Sequence, residues 1–473
     1  MARASAGESR AGLSADIRTV LVVGAGRSGV AAAELLAGLG RAVFLSDSKA
    51  AHELVGLESA LRAGAEFLAA PQSPEHLAGV DLLIKSPGVP GEAPLLAAAR
   101  AAGISVWSEV ELAYALVSAP FSAVTGTNGK TTTTALLGHM FEAAGRAVKV
   151  LGNIGTPITS MVRGLDEDQE LVVELSSFQL EDVHEFRPAA GVLLNLTPDH
   201  LDRHFTMERY LACKANMFAR QGPEDWAVFN LADPVAAGLG REVAAREGGP
   251  RVVYFSTEGP AGANAWFDGS RLHLFGGGEV PVESIPLRGL HNMENCLGAS
   301  TVALARGVPA EAVQESLRTF PGVAHRLQPA GVVRGVAYVN DSKATNVEAT
   351  LRALDAYPVG THLILGGRDK ASDYRPIARA CAHGCSGVYL VGEAAPLIRD
   401  AFERVRMEEG FESVPIPSDE GDMGRAVSAA AAAAVPGETV LLAPACASFD
   451  QYSDFEERGR HFVQTVERLR AVG

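Results

Sequence analysis

Val124-Thr125-Gly126-Thr127-Asn128-Gly129-Lys130-Thr131-Thr132 follows an apolar run, Phe121 to Val124, and leads into a helix-compatible stretch, Thr132 to Ala144. A strand, a glycine-bearing turn and a helix in that order present backbone N–H groups and a helix N-terminus to an anion. The glycines, Gly126 and Gly129, let the backbone approach phosphate; Lys130 supplies a point charge and Thr131 offers a hydroxyl to Mg²⁺. The strict P-loop pattern has a glycine four residues before Asn128, where this chain carries Val124, so the loop is a shortened variant. A helix-capping loop is the plain alternative. The order of loop, lysine and hydroxyl favours ATP.

Working outward, strand-like and helix-like runs alternate along the chain, which predicts an α/β fold with parallel sheets. Upstream, Thr19–Val23 enters Gly24-Ala25-Gly26-Arg27-Ser28-Gly29, a helix runs to Leu39, and a second strand, Ala42–Ser46, ends at Asp47. Three glycines in the turn and an acid about 20 residues later fit the dinucleotide fingerprint. Taken alone it suggests an NAD-dependent enzyme, yet it reports a phosphate site beside a ribose site without naming the nucleotide. A further strand, Asp81–Ile84, runs into Ser86-Pro87-Gly88-Val89-Pro90 at the carboxyl edge, where ligands sit.

Downstream, Leu171–Val173 predicts a buried strand ending in Glu174, followed by Leu175-Ser176-Ser177-Phe178-Gln179-Leu180. Two readings of Glu174 stand level: a Mg²⁺ ligand near the phosphate loop, or an ion-paired strand-end acid. Another strand, Val192–Leu194, feeds Asn195-Leu196-Thr197-Pro198-Asp199-His200-Leu201-Asp202-Arg203-His204, whose polar density folding alone does not require. His200, between two aspartates, is a candidate metal or substrate ligand. Lys214 lies on a predicted helix and by pattern alone is a surface lysine. Short runs broken by glycines between Ala265 and Glu283 predict antiparallel strands, and the helices Asn292–Ala305 and Ala310–Leu317 follow. Beyond Pro321-Gly322, strands at Val336–Val339, His362–Leu365, Gly387–Val391 and Thr439–Leu442 are predicted. Three polar loops close strands there: Asn340 to Asn346, Leu365 to Lys370 and Leu441 to Tyr452. Together they imply a ligand crevice.

Bulk properties narrow the function classes. At 473 residues, with 47% hydrophobic and 21% charged residues, the chain predicts a globular protein of two or three domains. A formal net charge of −15 argues against a nucleic-acid partner, whose phosphates it would repel. Five scattered cysteines suggest reduced thiols and a cytoplasmic setting. Cys381 and Cys385 bracket His383, but no second ligand pair follows to make a zinc site. No apolar run reaches membrane-spanning length, and the first residues carry no signal-peptide core.

These motifs resemble those of the Mur ligases, ATP-dependent amide-forming enzymes of peptidoglycan precursor synthesis. Thr125–Thr131 is similar to their ATP loop, and Leu175–Leu180 and Asn195–His204 to their central-domain signatures. Asp341-Ser342-Lys343-Ala344-Thr345-Asn346 and Ala445–Gln451 are similar to loops of the members that add D-glutamate to UDP-N-acetylmuramoyl-L-alanine. The resemblance spans about Val20 to Phe462, in the family's order, and the TGTNGKT form that carries Val124 is the family's own.

The resemblance implies a flexible tail (1–17), a Rossmann-like UDP-binding domain (18–118), a P-loop-type ATPase domain (119–322) and a Rossmann-like amino-acid domain (323–473). Ser28, Asp47 and Ser86 would touch the UDP group, and Asn153 and His200 the rest of that substrate. ATP would meet Gly126, Thr127, Asn128, Gly129, Lys130, Thr131 and Thr132, together with Asn292, Asn295, Arg326 and Asp341. Thr131 and Glu174 would ligate one Mg²⁺, and His200 and Lys214 a second, the lysine being carbamylated in the family. Lys130, His200 and Lys214 would carry catalysis, and Thr345, Lys370, Ser448 and Phe455 would surround D-glutamate. Around Lys370 two alignments one residue apart are open. A cytoplasmic monomer is expected, with no nucleic acid and no membrane insertion. The rivals are a family member with another amino acid, a folylpolyglutamate synthetase, an NAD-dependent dehydrogenase and a non-enzymatic nucleotide-binding module. The Asp341–Asn346 loop discriminates against the first two; the Thr125–Thr131 loop and the His200 cluster discriminate against the dehydrogenase.

Overall fold

A computed structural model describes residues 12–68, 71–153 and 155–472, and most of the tail expected at 1–17 lies outside them. The chain forms two compact units: Met1–Pro286 with His291–Phe320, and Leu287–Leu290 with Pro321–Gly473. Three sheets organise them.

The first sheet holds β1 (Thr19–Val23), β2 (Ala42–Ser46), β3 (Glu66–Leu68), β4 (Leu82–Lys85) and β5 (Ser105–Ser108), all parallel, in the order β3-β2-β1-β4-β5. The strand order reverses between β1 and β4, so the Gly24 turn and the Ser86 loop open side by side at the switch point. Gly29 holds the first helix, Arg27–Gly38, close to the sheet: a Cβ there would lie 1.9 Å from the Gly24 carbonyl oxygen. The alanines of this helix are small for the same reason, and Ala32 and Ala33 are fully buried.

The second sheet belongs to the same unit. Its strands are β6 (Phe121–Thr125), β7 (Val148–Gly152), β8 (Glu170–Glu174), β9 (Ala190–Leu193), β10 (Trp226–Asn230) and β11 (Arg251–Ser256), then β12 (Ala265–Phe267), β13 (Arg271–His273) and β14 (Glu279–Pro281). They run in the order β14-β13-β12-β11-β10-β9-β6-β8-β7, with β12 to β14 as the antiparallel edge the glycine-broken runs predicted. Every residue of β6, β8 and β9 is buried, as parallel strands covered on both faces must be. Their carboxyl ends carry the phosphate loop, Glu174 and the Asn195–His204 segment.

The second unit has one sheet: β15 (Gln328–Val333), β16 (Val336–Asn340), β17 (Thr361–Gly366), β18 (Cys385–Val391), β19 (Ser418–Gly421) and β20 (Thr439–Leu442), ordered β15-β16-β20-β17-β18-β19. Only β15 runs antiparallel. The three polar loops read from the sequence leave β16, β17 and β20, which are neighbours, at their carboxyl ends. All five cysteines are free thiols, and among the described residues no helix is long and apolar enough to cross a membrane.

Candidate active site

The phosphate loop turns at Gly126 and Gly129 and hands over to the helix Lys130–Ala143. Gly129 has φ 83°, and a Cβ there would lie 2.1 Å from Asn295 Oδ1, so both conformation and space demand glycine. The loop is braced from the neighbouring strand end: Asn128 N–H donates to Asn195 Oδ1 (2.9 Å) and Thr127 Oγ1 to the Thr197 carbonyl (3.1 Å). Lys130 Nζ folds back onto the carbonyls of Gly126 (3.0 Å) and Thr127 (2.8 Å). Thr131 and Thr132 are buried beside it. Asn292 and Asn295 reach this loop from the helix Leu290–Ala305: Asn295 Nδ2 donates to Asn292 Oδ1 (3.1 Å), and Thr133 Oγ1 to Asn295 Oδ1 (3.2 Å).

Glu174 ends β8 in register with Val124 of β6. Its Oε1 accepts from Asn153 Nδ2 at 2.7 Å, while Oε2 is buried with no hydrogen-bond partner. An orphaned anionic oxygen under a phosphate loop costs stability unless a cation meets it.

Lys214 corrects the reading by pattern. It lies on the helix Met207–Ala215 but is 1% exposed, not on the surface. Its Nζ donates to the Gly126 carbonyl (2.8 Å) and to Thr125 Oγ1 (3.3 Å) and sits over the Tyr210 ring at 4.8 Å. Burial, and then the charge of Lys130, push its pKa well below the usual lysine range. His200 stands half exposed in a left-handed conformation (φ 53°), edge-on to Phe178 at 5.0 Å and 3.5 Å from an Asp199 oxygen. The side chain of Asp202 lies outside the described residues. Phe178 in turn stacks on buried His204 (5.1 Å), whose Nε2 pairs with Ser177 Oγ at 2.9 Å.

The switch point of the first sheet opens a cavity of about 630 Å³, lined by Gly24, Ser28, Asp47, Ser86, Asn153 and Gln179 among others. Asp47 Oδ2 accepts from the Ala25 N–H (2.7 Å), and Ser86 Oγ donates to the Gly24 carbonyl (2.7 Å), so both side chains shape the turn. Arg27 and Lys49 also line it and were missed. Their position around a fingerprint loop was the available signal.

In the second unit, Asp341 is 8% exposed and Oδ1 accepts from the Leu327 N–H (3.2 Å); burial raises its pKa to about 6, against the lowering pull of Arg326. The folded state thus holds its proton to a higher pH than the unfolded chain, so stability falls as pH rises from about 4 through 6. The cost at pH 7 is on the order of 3 kcal/mol. Asp341→Asn should therefore raise stability at pH 7 and lose that advantage near pH 4; denaturant unfolding at the two pH values checks it. Lys370, exposed, donates to the Thr345 carbonyl at 3.4 Å, and Ser448 is buried on the adjoining loop. Phe455 packs edge-on to His325 at 6.3 Å. Non-glycine residues with positive φ gather here, at His325, Leu327, Ala371 and Ala445, as strain does at functional edges. Arg458, which the sequence did not single out, is fully buried; its guanidinium donates to the carbonyls of Ser342 (2.9 Å), Cys446 (3.1 Å) and Ala447 (3.3 Å), tying two of the loops together.

Comparison with known proteins defines the class. The profile of the Mur ligase middle domain matches residues 124–303, that of the Mur ligase glutamate ligase domain 325–446, and that of the MurD-like N-terminal domain 18–108. The chain belongs to the Mur ligase family. Over 96% of its length it is 43% identical to the UDP-N-acetylmuramoylalanine–D-glutamate ligase of Pelotomaculum thermopropionicum, covering 98% of that protein. The enzyme of the same name from Solibacter usitatus is 43% identical over 95% of this chain and 97% of its own. The crystal structure of UDP-N-acetylmuramate–alanine ligase from Thermotoga maritima shares the fold, with a TM-score of 0.57 at 18% identity over 96% of this chain and 100% of its own.

Proposed function

We propose that the chain joins D-glutamate to UDP-N-acetylmuramoyl-L-alanine at the expense of ATP, in the synthesis of peptidoglycan precursors. The observation that carries this is near-full-length identity of 43% to ligases named for that reaction. Residues 18–108 and the β1–β4 cavity would take the UDP end, the unit around the phosphate loop ATP, and the β16–β20 edge the amino acid. A carboxylate is a poor acyl donor, so the γ-phosphoryl group of ATP passes to the alanyl carboxylate. The amine of D-glutamate then attacks the acyl phosphate and phosphate leaves. Lys130 and the helix N-terminus stabilise charge on the transferring group.

Glu174 Oε2 and the Thr131 hydroxyl suit one Mg²⁺, which would neutralise phosphate charge when bound. Among the described residues no three His, Cys, Asp or Glu side chains form a metal cage. A second ion does not fit Lys214 as an amine. It fits a carbamate, and an uncharged buried amine is the form that reacts with CO₂. We assign the chain to the cytoplasm and to a monomeric state.

Phosphate release with UDP-N-acetylmuramoyl-L-alanine and a panel of amino acids tests the assignment. D-glutamate should be used far better than L-glutamate or neutral D-amino acids, because two fixed carboxylates present the amine in one configuration only. Preference for L-lysine, diaminopimelate or L-alanine would sink it. Lys370→Ala should raise the KM for D-glutamate by about 10- to 100-fold, the value of a charge-assisted bond, and leave that for ATP nearly unchanged.

A further inference from the structure

Lys85 is the last residue of β4, and its side chain is completely buried. The ammonium is gripped by Glu181 and lies 2.5 Å from Asp182 Oδ2; both acids directly follow the short helix Ser177–Leu180. Arg100 completes the cluster by donating to Asp182 Oδ1 (2.7 Å) and to the Gly91 carbonyl (2.6 Å). Two cations thus balance two anions. Each half of this cluster adjoins a residue that lines the cavity. Ser86, next in sequence to Lys85, and Gln179, two residues before Glu181, both line it. The Lys85 backbone is fixed in register with Val23 of β1 and Ser108 of β5, so only its side chain reaches across.

Stability alone does not account for the arrangement. Burying an ammonium is costly, and a well-packed apolar replacement is often as stable or more so. Of the other ties on the same loop, the ion pair of Arg209 with Glu92 is exposed and holds weakly, while Arg203, which donates to the Gly88 and Val89 carbonyls, is only half-buried. Lys85 is the fully buried side chain among the ties to this loop, and it adds to the backbone bond from Ser108 N–H to the Asp182 carbonyl (2.8 Å) that holds the same corner to β5.

We propose that Lys85 is a positioning residue for the acceptor substrate, locking the loop that cradles its nucleotide end to the corner of chain that follows Glu174. Energy gained at the nucleotide is thereby delivered as alignment of the distant carboxylate with the phosphate loop. The proposal rests on the assignment of this cavity to the UDP group.

The test compares two acceptors, UDP-N-acetylmuramoyl-L-alanine and N-acetylmuramoyl-L-alanine, at saturating ATP and D-glutamate. In the wild-type enzyme the nucleotide should raise kcat/KM strongly. In Lys85→Met that advantage should shrink on the order of 10- to 100-fold, mainly through kcat, while the truncated acceptor and the KM for ATP change little. Equal losses on both acceptors, or an unchanged ratio, would overturn the proposal. Should Lys85→Met not fold, Glu181→Gln, which leaves Asp182 facing the lysine, should shrink the ratio less but in the same direction; an unchanged ratio there overturns it too. A wild-type enzyme indifferent to the nucleotide would instead remove the UDP assignment on which the proposal stands.

Discussion

Lys214→Ala should lower turnover by a factor on the order of 10²–10³, with part of the loss restored by small carboxylic acids. The buried amine donates to the Gly126 carbonyl beside the phosphate loop, where burial and the charge of Lys130 outweigh the opposite pull of Asp199 and Glu174. Its usefulness lies in giving up its proton more readily than an ordinary lysine, since burial and the neighbouring Lys130 hold its pKa down. An uncharged amine can add CO₂ and become the anion a second Mg²⁺ needs. Removing the side chain leaves space that formate or acetate can fill, and rescue should saturate with acid concentration. The stability arm has its own sign. A lysine whose folded pKa is depressed binds fewer protons folded than unfolded between its folded pKa and the ordinary lysine range, so stability rises with pH through that window. Lys214→Met should therefore be more stable than wild type near neutral pH, by a margin that narrows as pH climbs, and still show the loss of turnover. Full turnover in either variant would return Lys214 to a structural role.

The contrast between Lys214 and Glu174 shows what a sequence displays. Strand ends and loops were legible because period and glycine placement are local: β1, β2 and β20 fall on their predicted residues, and the antiparallel edge lies between Ala265 and Glu283 as expected. Glu174 was visible as a polar residue ending an apolar run. Lys214 was not, because nothing within one helical turn of it reveals that Tyr210 and the Gly126 turn close over it. Its role came only through family resemblance. Lys85 and Arg458 were hidden for a related reason. Lys85 ends an ordinary strand and Arg458 lies in the first turn of the helix Phe455–Val472, and the importance of each involves a partner distant along the chain, Glu181 and Ser342. The glycine turn at Gly24–Gly29 failed in the opposite sense, since a local motif strong enough to predict a phosphate site carries no information on the nucleotide.

Lys130→Ala should abolish phosphoryl transfer, to below about a thousandth of wild-type turnover, while leaving the fold intact. The variant loses the Lys130 bonds to the Gly126 and Thr127 carbonyls, but other braces hold the loop. Asn128 N–H on Asn195, Thr127 Oγ1 on the Thr197 carbonyl and Thr127 against Tyr210 remain when the lysine is gone. What is lost is a charge aimed at phosphate, and with it an influence on Lys214. The Lys130 charge helps to depress the Lys214 pKa, so its removal lets the buried amine hold a proton more readily and take up CO₂ less. Part of the Lys130→Ala defect should therefore travel through Lys214. The double variant should lose less than the product of the two single losses, the mark of residues acting as one unit. Multiplying losses would separate the two lysines. Near-normal turnover in Lys130→Ala, with unfolding unchanged, would take ATP out of the phosphate loop altogether and leave the Gly126–Gly129 turn as a helix cap.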